Sequence, residues 1–203
     1  MSENYIQMIC EDKIYPIVRC KEAQQAIEVS KALVEGGIRV LEINVENPSI
    51  YEAIAEISKI AHVCAGGIIT TMQADAAFKS GAQLFSSPIF QMNMVKISKN
   101  KRVQFIAGAS TANEAYNAWQ ARMPMIKIYP VAEMGGVEYI REMVKPMPFL
   151  NLLPCGFVKI SEVEGYLKAG AKAVGIGREL YAKEDSKEII ETAKNVVEMV
   201  RQI

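Results

Sequence analysis

One pattern recurs along this chain: an amphipathic helix, a glycine or small-residue turn, then a short apolar strand. Ala23 to Val34 reads as a helix that leads through Gly36-Gly37 into Ile38-Arg39-Val40-Leu41-Glu42-Ile43. Ala74 to Lys79 leads through Gly81 into Gln83-Leu84-Phe85, and Val163 to Lys168 leads through Gly170 into Lys172-Ala173-Val174-Gly175-Ile176-Gly177. A glycine after a helix supplies the left-handed cap from which the chain turns into a strand. Strand candidates fall at about residues 14–18, 38–45, 63–65, 83–86, 103–107, 125–129, 149–153 and 172–176, each followed by a helix candidate. A leading helix is expected around Glu3 to Cys10 and a closing one over Lys187 to Arg201.

Strict alternation of strand and helix predicts a parallel sheet with right-handed crossovers, and eight such units close into a (β/α)8 TIM barrel. With 203 residues the chain is expected to be one compact barrel domain spanning 1–203, shorter than the usual ~250. The competing architecture is an open doubly wound sheet. It is disfavoured because Cys20-Lys21-Glu22 follows the first strand where a glycine-rich fingerprint would stand.

Charge and composition exclude several functions. Lys+Arg and Asp+Glu are 23 each, so there is no electrostatic case for nucleic acid or an anionic membrane. No apolar run approaches the ~20 residues of a membrane-spanning helix. Met1-Ser2-Glu3-Asn4 has neither a basic nor an apolar leader segment. Cys10, Cys20, Cys64 and Cys155 form no C-x-x-C pair, so free thiols in a cytoplasmic protein are expected. The single histidine, His62, excludes a multi-histidine metal site and is expected in a surface loop between helix and strand. No metal or cofactor is expected.

The unusual residues gather at the carboxyl ends of the predicted strands, where barrels of this kind place their sites. Lys127 stands out in Met125-Ile126-Lys127-Ile128-Tyr129-Pro130, because an ammonium in an apolar strand either pairs or loses its proton. A neutral lysine amine is a nucleophile toward carbonyl carbons. On strand two, Val40, Glu42 and Asn44 share one face; on strand six, Met125, Lys127 and Tyr129 share one. The opposite, uniformly apolar faces suit the surrounding helices. Glu42 and Lys127 are therefore expected to point into the barrel and approach each other. That pairing serves either packing or a nucleophile with its proton shuttle.

Arg39-Val40-Leu41-Glu42-Ile43, Ser87-Pro88, Ile126-Lys127-Ile128-Tyr129-Pro130, Gly135-Gly136 and Leu153-Pro154-Cys155-Gly156 together resemble the 2-keto-3-deoxy-6-phosphogluconate (KDPG) / 4-hydroxy-2-oxoglutarate (KHG) aldolase family, from about Ile14 to Tyr181. The resemblance implies a homotrimeric barrel and class I, Schiff-base cleavage of a 2-keto acid to pyruvate and an aldehyde. It also implies the roles: Lys127 as the Schiff-base lysine, Glu42 as general acid/base, Arg19 near the substrate carboxylate, Pro88 and Tyr129 on the pocket wall. The substrate-binding turns by the same likeness are Gly67, Cys155-Gly156 and Gly177-Arg178.

Those turns depart from the family. Asn44-Val45-Glu46 stands where many members carry threonine-leucine-arginine, so an acid replaces a carboxylate-holding arginine. Cys64-Ala65-Gly66-Gly67 lacks the threonine hydroxyl, Phe157 follows Pro154-Cys155-Gly156 in place of a second glycine, and Gly177-Arg178-Glu179 replaces a glycine-serine turn. A phosphate cradle needs exposed N–H groups, glycines and hydroxyls. An altered or narrower substrate, with or without a phosphate, is expected. The competing readings are another small-molecule barrel enzyme and an aldolase-like barrel with weak or lost activity that binds a ligand.

Overall fold

A computed structural model describes residues 4–203 of the chain. The start of the leading helix expected from Glu3 lies outside the described residues; α1 (Tyr5–Asp12) begins behind Asn4, whose side-chain oxygen accepts from the Gln7 N–H. Eight strands then alternate with helices: β1 (Ile14–Val18), α2 (Ala23–Glu35), β2 (Val40–Asn44), α3 (Ile50–Ile57), β3 (His62–Gly66), α4 (Thr71–Lys79), β4 (Leu84–Ser86) and α5 (Met92–Lys101) form the first half. The second half comprises β5 (Gln104–Ala109), α6 (Ala112–Gln120), β6 (Met125–Ile128), α7 (Gly136–Val144), β7 (Leu152–Pro154), α8 (Val163–Lys168), β8 (Val174–Ile176), α9 (Arg178–Tyr181) and α10 (Ser186–Arg201).

The strands form one parallel sheet in the order β7-β6-β5-β4-β3-β2-β1-β8, a (β/α)8 barrel. The seam between β7 and β8 is crossed by the Lys172 N–H donating to the Leu152 carbonyl at 2.9 Å rather than by a full ladder. Alternation along each strand sorts the side chains as the sequence predicts. Leu41, Ile43, Ile126 and Ile128 face the helices in the outer core. Tyr15, Val40, Cys64, Leu84, Ile106, Met125 and Leu153 fill the barrel interior, where Ile6 and Ile9 of α1 join them. α1 is thus a plug against the amino ends of the strands; the Ile6 N–H reaches Gln104 of β5 at 3.2 Å.

Three differences from the sequence expectation have local causes. β7 starts at Leu152, not at Phe149, because Phe149 leaves the sheet line to lie on Trp119, with ring centroids 4.5 Å apart. β6 stops at Ile128, ahead of Pro130, which has no N–H to extend a ladder. His62 is not a loop residue: it opens β3, half-buried, with its ring 4.8 Å from that of Tyr5 in the plug helix. The four cysteines are free thiols. No helix among the described residues is long and apolar enough to cross a membrane.

Candidate active site

Glu42 and Lys127 come from opposite sides of the barrel, each held in the middle of a fully buried strand. Parallel pairing aligns Glu42 with Ile17 and Cys64, and Lys127 with Gly108 and Leu153. The Lys127 Nζ donates to both Glu42 carboxylate oxygens, at 2.8 and 2.6 Å, and the two residues are only 5% and 1% exposed. Gly66 on β3 makes this possible. A Cβ there would overlap the Glu42 carboxylate, so glycine leaves the space in which the acid lies.

The floor below the pair is apolar and unreactive. The Tyr15 ring centre lies 6.0 Å from Nζ, and the Cys64 and Cys155 thiols are buried beside it. Burial pushes the Cys155 thiol up to about 12, the Lys127 charge opposing and Glu42 assisting; burial likewise raises Cys64. Both sulfurs are therefore protonated at neutral pH and weak nucleophiles. Cys155 fits because Gly175 on β8 has no Cβ to meet its sulfur.

For Lys127, burial alone pulls the amine pKa down, but attraction and hydrogen bonding to Glu42 outweigh it; the net direction is upward. Arg19 takes no part in this balance: it stands exposed at the rim, its guanidinium 3.1 Å from Glu46. The resting state is an ammonium–carboxylate pair. Transfer of one proton within it produces a nucleophilic amine beside a carboxylic acid.

Above the pair opens a cleft of about 650 Å3, at the carboxyl ends of the strands. All ten residues singled out in the sequence line it: Glu42 and Lys127 at the base, Arg19, Gly67, Pro88 and Tyr129 on one part of the wall, and Cys155, Gly156, Gly177 and Arg178 on the other. Gly156 has φ +99°, a left-handed conformation, and a Cβ there would press on Pro130 and Tyr129. The cleft also holds groups that the sequence marked only as departures from the family, Asn44, Phe157 and Glu179, and others it did not mark, Lys159 and Tyr181 among them. Asn44 lies on the Glu42 face, so alternation was the available signal, and its side-chain amide donates to Glu46 at 3.3 Å. Tyr181 left no sequence signal. Its hydroxyl accepts from the Arg19 N–H at 3.0 Å and so ties the end of β1 to α9. Phe157, Lys159 and Glu179 complete the outer rim, where the Glu179 carboxylate accepts from the Ile160 N–H at 2.9 Å.

Fold and site together define a (β/α)8 barrel whose cleft lies at the carboxyl ends of the strands, over a buried amine–carboxylate pair. The family is then given by the sequence: the family model described as "KDPG and KHG aldolase" matches residues 6–196, and the chain belongs to that aldolase family. The 2-dehydro-3-deoxy-phosphogluconate aldolase of Treponema pallidum is 28% identical over 158 residues, covering 76% of this chain and 75% of the relative. The KHG/KDPG aldolase of Escherichia coli K12 is 27% identical over 157 residues, covering 76% and 74%. Among solved structures, the KDPG aldolase of Zymomonas mobilis with 3-phosphoglycerate superposes with a TM-score of 0.86 at 23% identity, covering 95% of this chain and 94% of that one. The Legionella pneumophila KDPG aldolase, with pyruvate captured as a covalent carbinolamine, superposes equally well at 0.86 and 22% identity, covering 97% and 99%.

Proposed function

We propose that this chain is a class I aldolase that cleaves a 2-keto-3-deoxy or 4-hydroxy-2-oxo acid to pyruvate and an aldehyde. The observation that carries this reading is the Lys127–Glu42 pair at the base of an open cleft. Glu42 takes a proton from Lys127, and the freed amine attacks the 2-keto carbon. Glu42 returns that proton to the departing hydroxyl, so water leaves and a protonated imine forms. Glu42, again a carboxylate, then removes the C4 hydroxyl proton as the C3–C4 bond breaks; its electrons pass into the iminium, leaving an enamine and releasing the aldehyde. Protonation at C3 and hydrolysis yield pyruvate and restore Lys127. The iminium is the electron sink throughout, and the two side chains account for every proton moved.

Arg19 faces the cleft as the candidate partner of the substrate carboxylate. Its exposed pair with Glu46 is of a kind worth only ~0–1 kcal/mol, so a substrate anion can displace it. Pro88 and Tyr129 shape the wall, and the backbone of Gly67, Gly156 and Gly177 borders the bound ligand. By likeness to the family the assembly is a homotrimer in the cytoplasm.

The test is incubation with pyruvate, borohydride reduction and mapping of the adduct by mass spectrometry. A reduced pyruvyl adduct on Lys127, absent from Lys127→Ala, is expected; no adduct at saturating pyruvate would sink the reading. One observation favours a second reading, a ligand-binding barrel without turnover: the carboxylate that serves as base also holds Lys127 protonated at rest. In that case pyruvate stabilises the protein thermally without leaving an adduct.

A further inference from the structure

Resting on the aldolase reading above, we propose that Glu179 sets the substrate class. Its carboxylate places a negative charge at the outer rim of the cleft, so the cleft takes a 2-keto acid whose far end is uncharged rather than phosphorylated. The Lys127–Glu42 pair at the base fixes where the keto carbon binds, and the remainder of the substrate extends toward the rim. Glu179 lines that rim, and the Ile160 N–H donates to its carboxylate at 2.9 Å, which holds the negative charge in place.

The neighbouring charges and surfaces agree. Arg178 and Lys159 line the same rim, and Glu179 offsets one of these two positive charges. Phe157, 70% exposed, presents an aromatic face there. A phosphate dianion arriving beside Glu179 meets a like charge and an apolar ring. A hydroxyl or hydrogen at the far end of the substrate meets no such penalty. Discrimination of this kind comes from an element set against the wrong ligand as much as from contacts to the right one.

Aldol addition of pyruvate to D-glyceraldehyde and to D-glyceraldehyde 3-phosphate tests this with wild type, Glu179→Gln and Glu179→Ala. Wild type is expected to favour the unphosphorylated acceptor by about tenfold or more in kcat/KM. Glu179→Gln drops the charge but keeps an acceptor for the Ile160 N–H, so it narrows the ratio. Glu179→Ala also frees the N–H and narrows it further. A wild type that prefers the phosphorylated acceptor overturns the proposal, as does one ratio shared by all three proteins.

Calorimetric titration with inorganic phosphate reads the same residue without chemistry. Affinity that rises from wild type through Glu179→Gln to Glu179→Ala supports the proposal, and equal affinity overturns it. Should borohydride trap no pyruvate, the aldolase reading fails, and the phosphate titration still decides the role of Glu179.

Discussion

Lys127 is held between two opposing influences, and the balance between them can be measured. Burial depresses its pKa, and the Glu42 carboxylate raises it by more. In Glu42→Gln the raising influence is gone and burial remains, so the lysine pKa falls. The pH at which pyruvate-dependent reductive trapping reaches its plateau is therefore expected to move to lower pH than in wild type. Aldol turnover moves the other way, dropping by about 10²–10⁴-fold for want of a proton carrier. Trapping rates across a pH series, set beside kcat for the same variant, check both halves. A plateau at unchanged or higher pH would show that Glu42 does not control the protonation of Lys127. At this scale the sequence was most readable: a charge inside an apolar run is visible as such, and two-residue periodicity sent Glu42 to the same interior. The Arg19–Glu46 and Glu179–Ile160 contacts were not readable, because each joins segments beyond the strand ends whose approach no local pattern encodes.

At the scale of elements, β3 matters to the site chiefly for what it lacks. Gly66 lies where the Glu42 carboxylate needs room, opposite Asn44 in the β2–β3 register. Its backbone is not left-handed, so Gly66→Ala introduces no conformational strain, only the overlap with Glu42. The variant is expected to fold, losing about 1–3 kcal/mol as an overpacking change, while aldol turnover falls by at least about tenfold through displacement of the acid. Urea denaturation and steady-state kinetics measure the two effects; full turnover would mean that the observed Glu42 position is not the working one. β7 teaches the limit of reading strands from apolar runs. Phe149 and Leu150 look like strand residues, yet Phe149 packs at a tilt against Trp119 outside the barrel and the strand begins only at Leu152. Hydrophobicity marks residues that will be covered, without saying by which layer.

For the whole molecule, the plug helix α1 closes one end of the barrel while the other holds the cleft. Ile9 is fully buried among interior residues of several strands. Ile9→Ala is expected to cost about 2–5 kcal/mol of stability, with little change in kcat below the melting range. Chemical denaturation and kinetics at a low temperature separate these outcomes, and a loss of kcat at intact stability would link the plug to the cleft. The barrel itself was legible because it is a statement about periodicity: eight apolar runs, eight helices and the glycines between them admit few other packings. The interior address of Lys127 and Glu42 was legible for the same reason, since alternation of faces is a local property of each strand. Which partner each charge takes was another matter. Strand register sets Gly66 opposite Asn44, where it clears the Glu42 carboxylate, the paths beyond the strand ends bring Glu46 to Arg19 and Glu179 to the Ile160 N–H, and contact with Glu42 turns the lysine pKa upward against the effect of burial. These are distances between residues remote in the chain or set by loop geometry. They come into being when the barrel closes, which is why the reactive pair was foreseeable from the residues and the contacts at the rim were not.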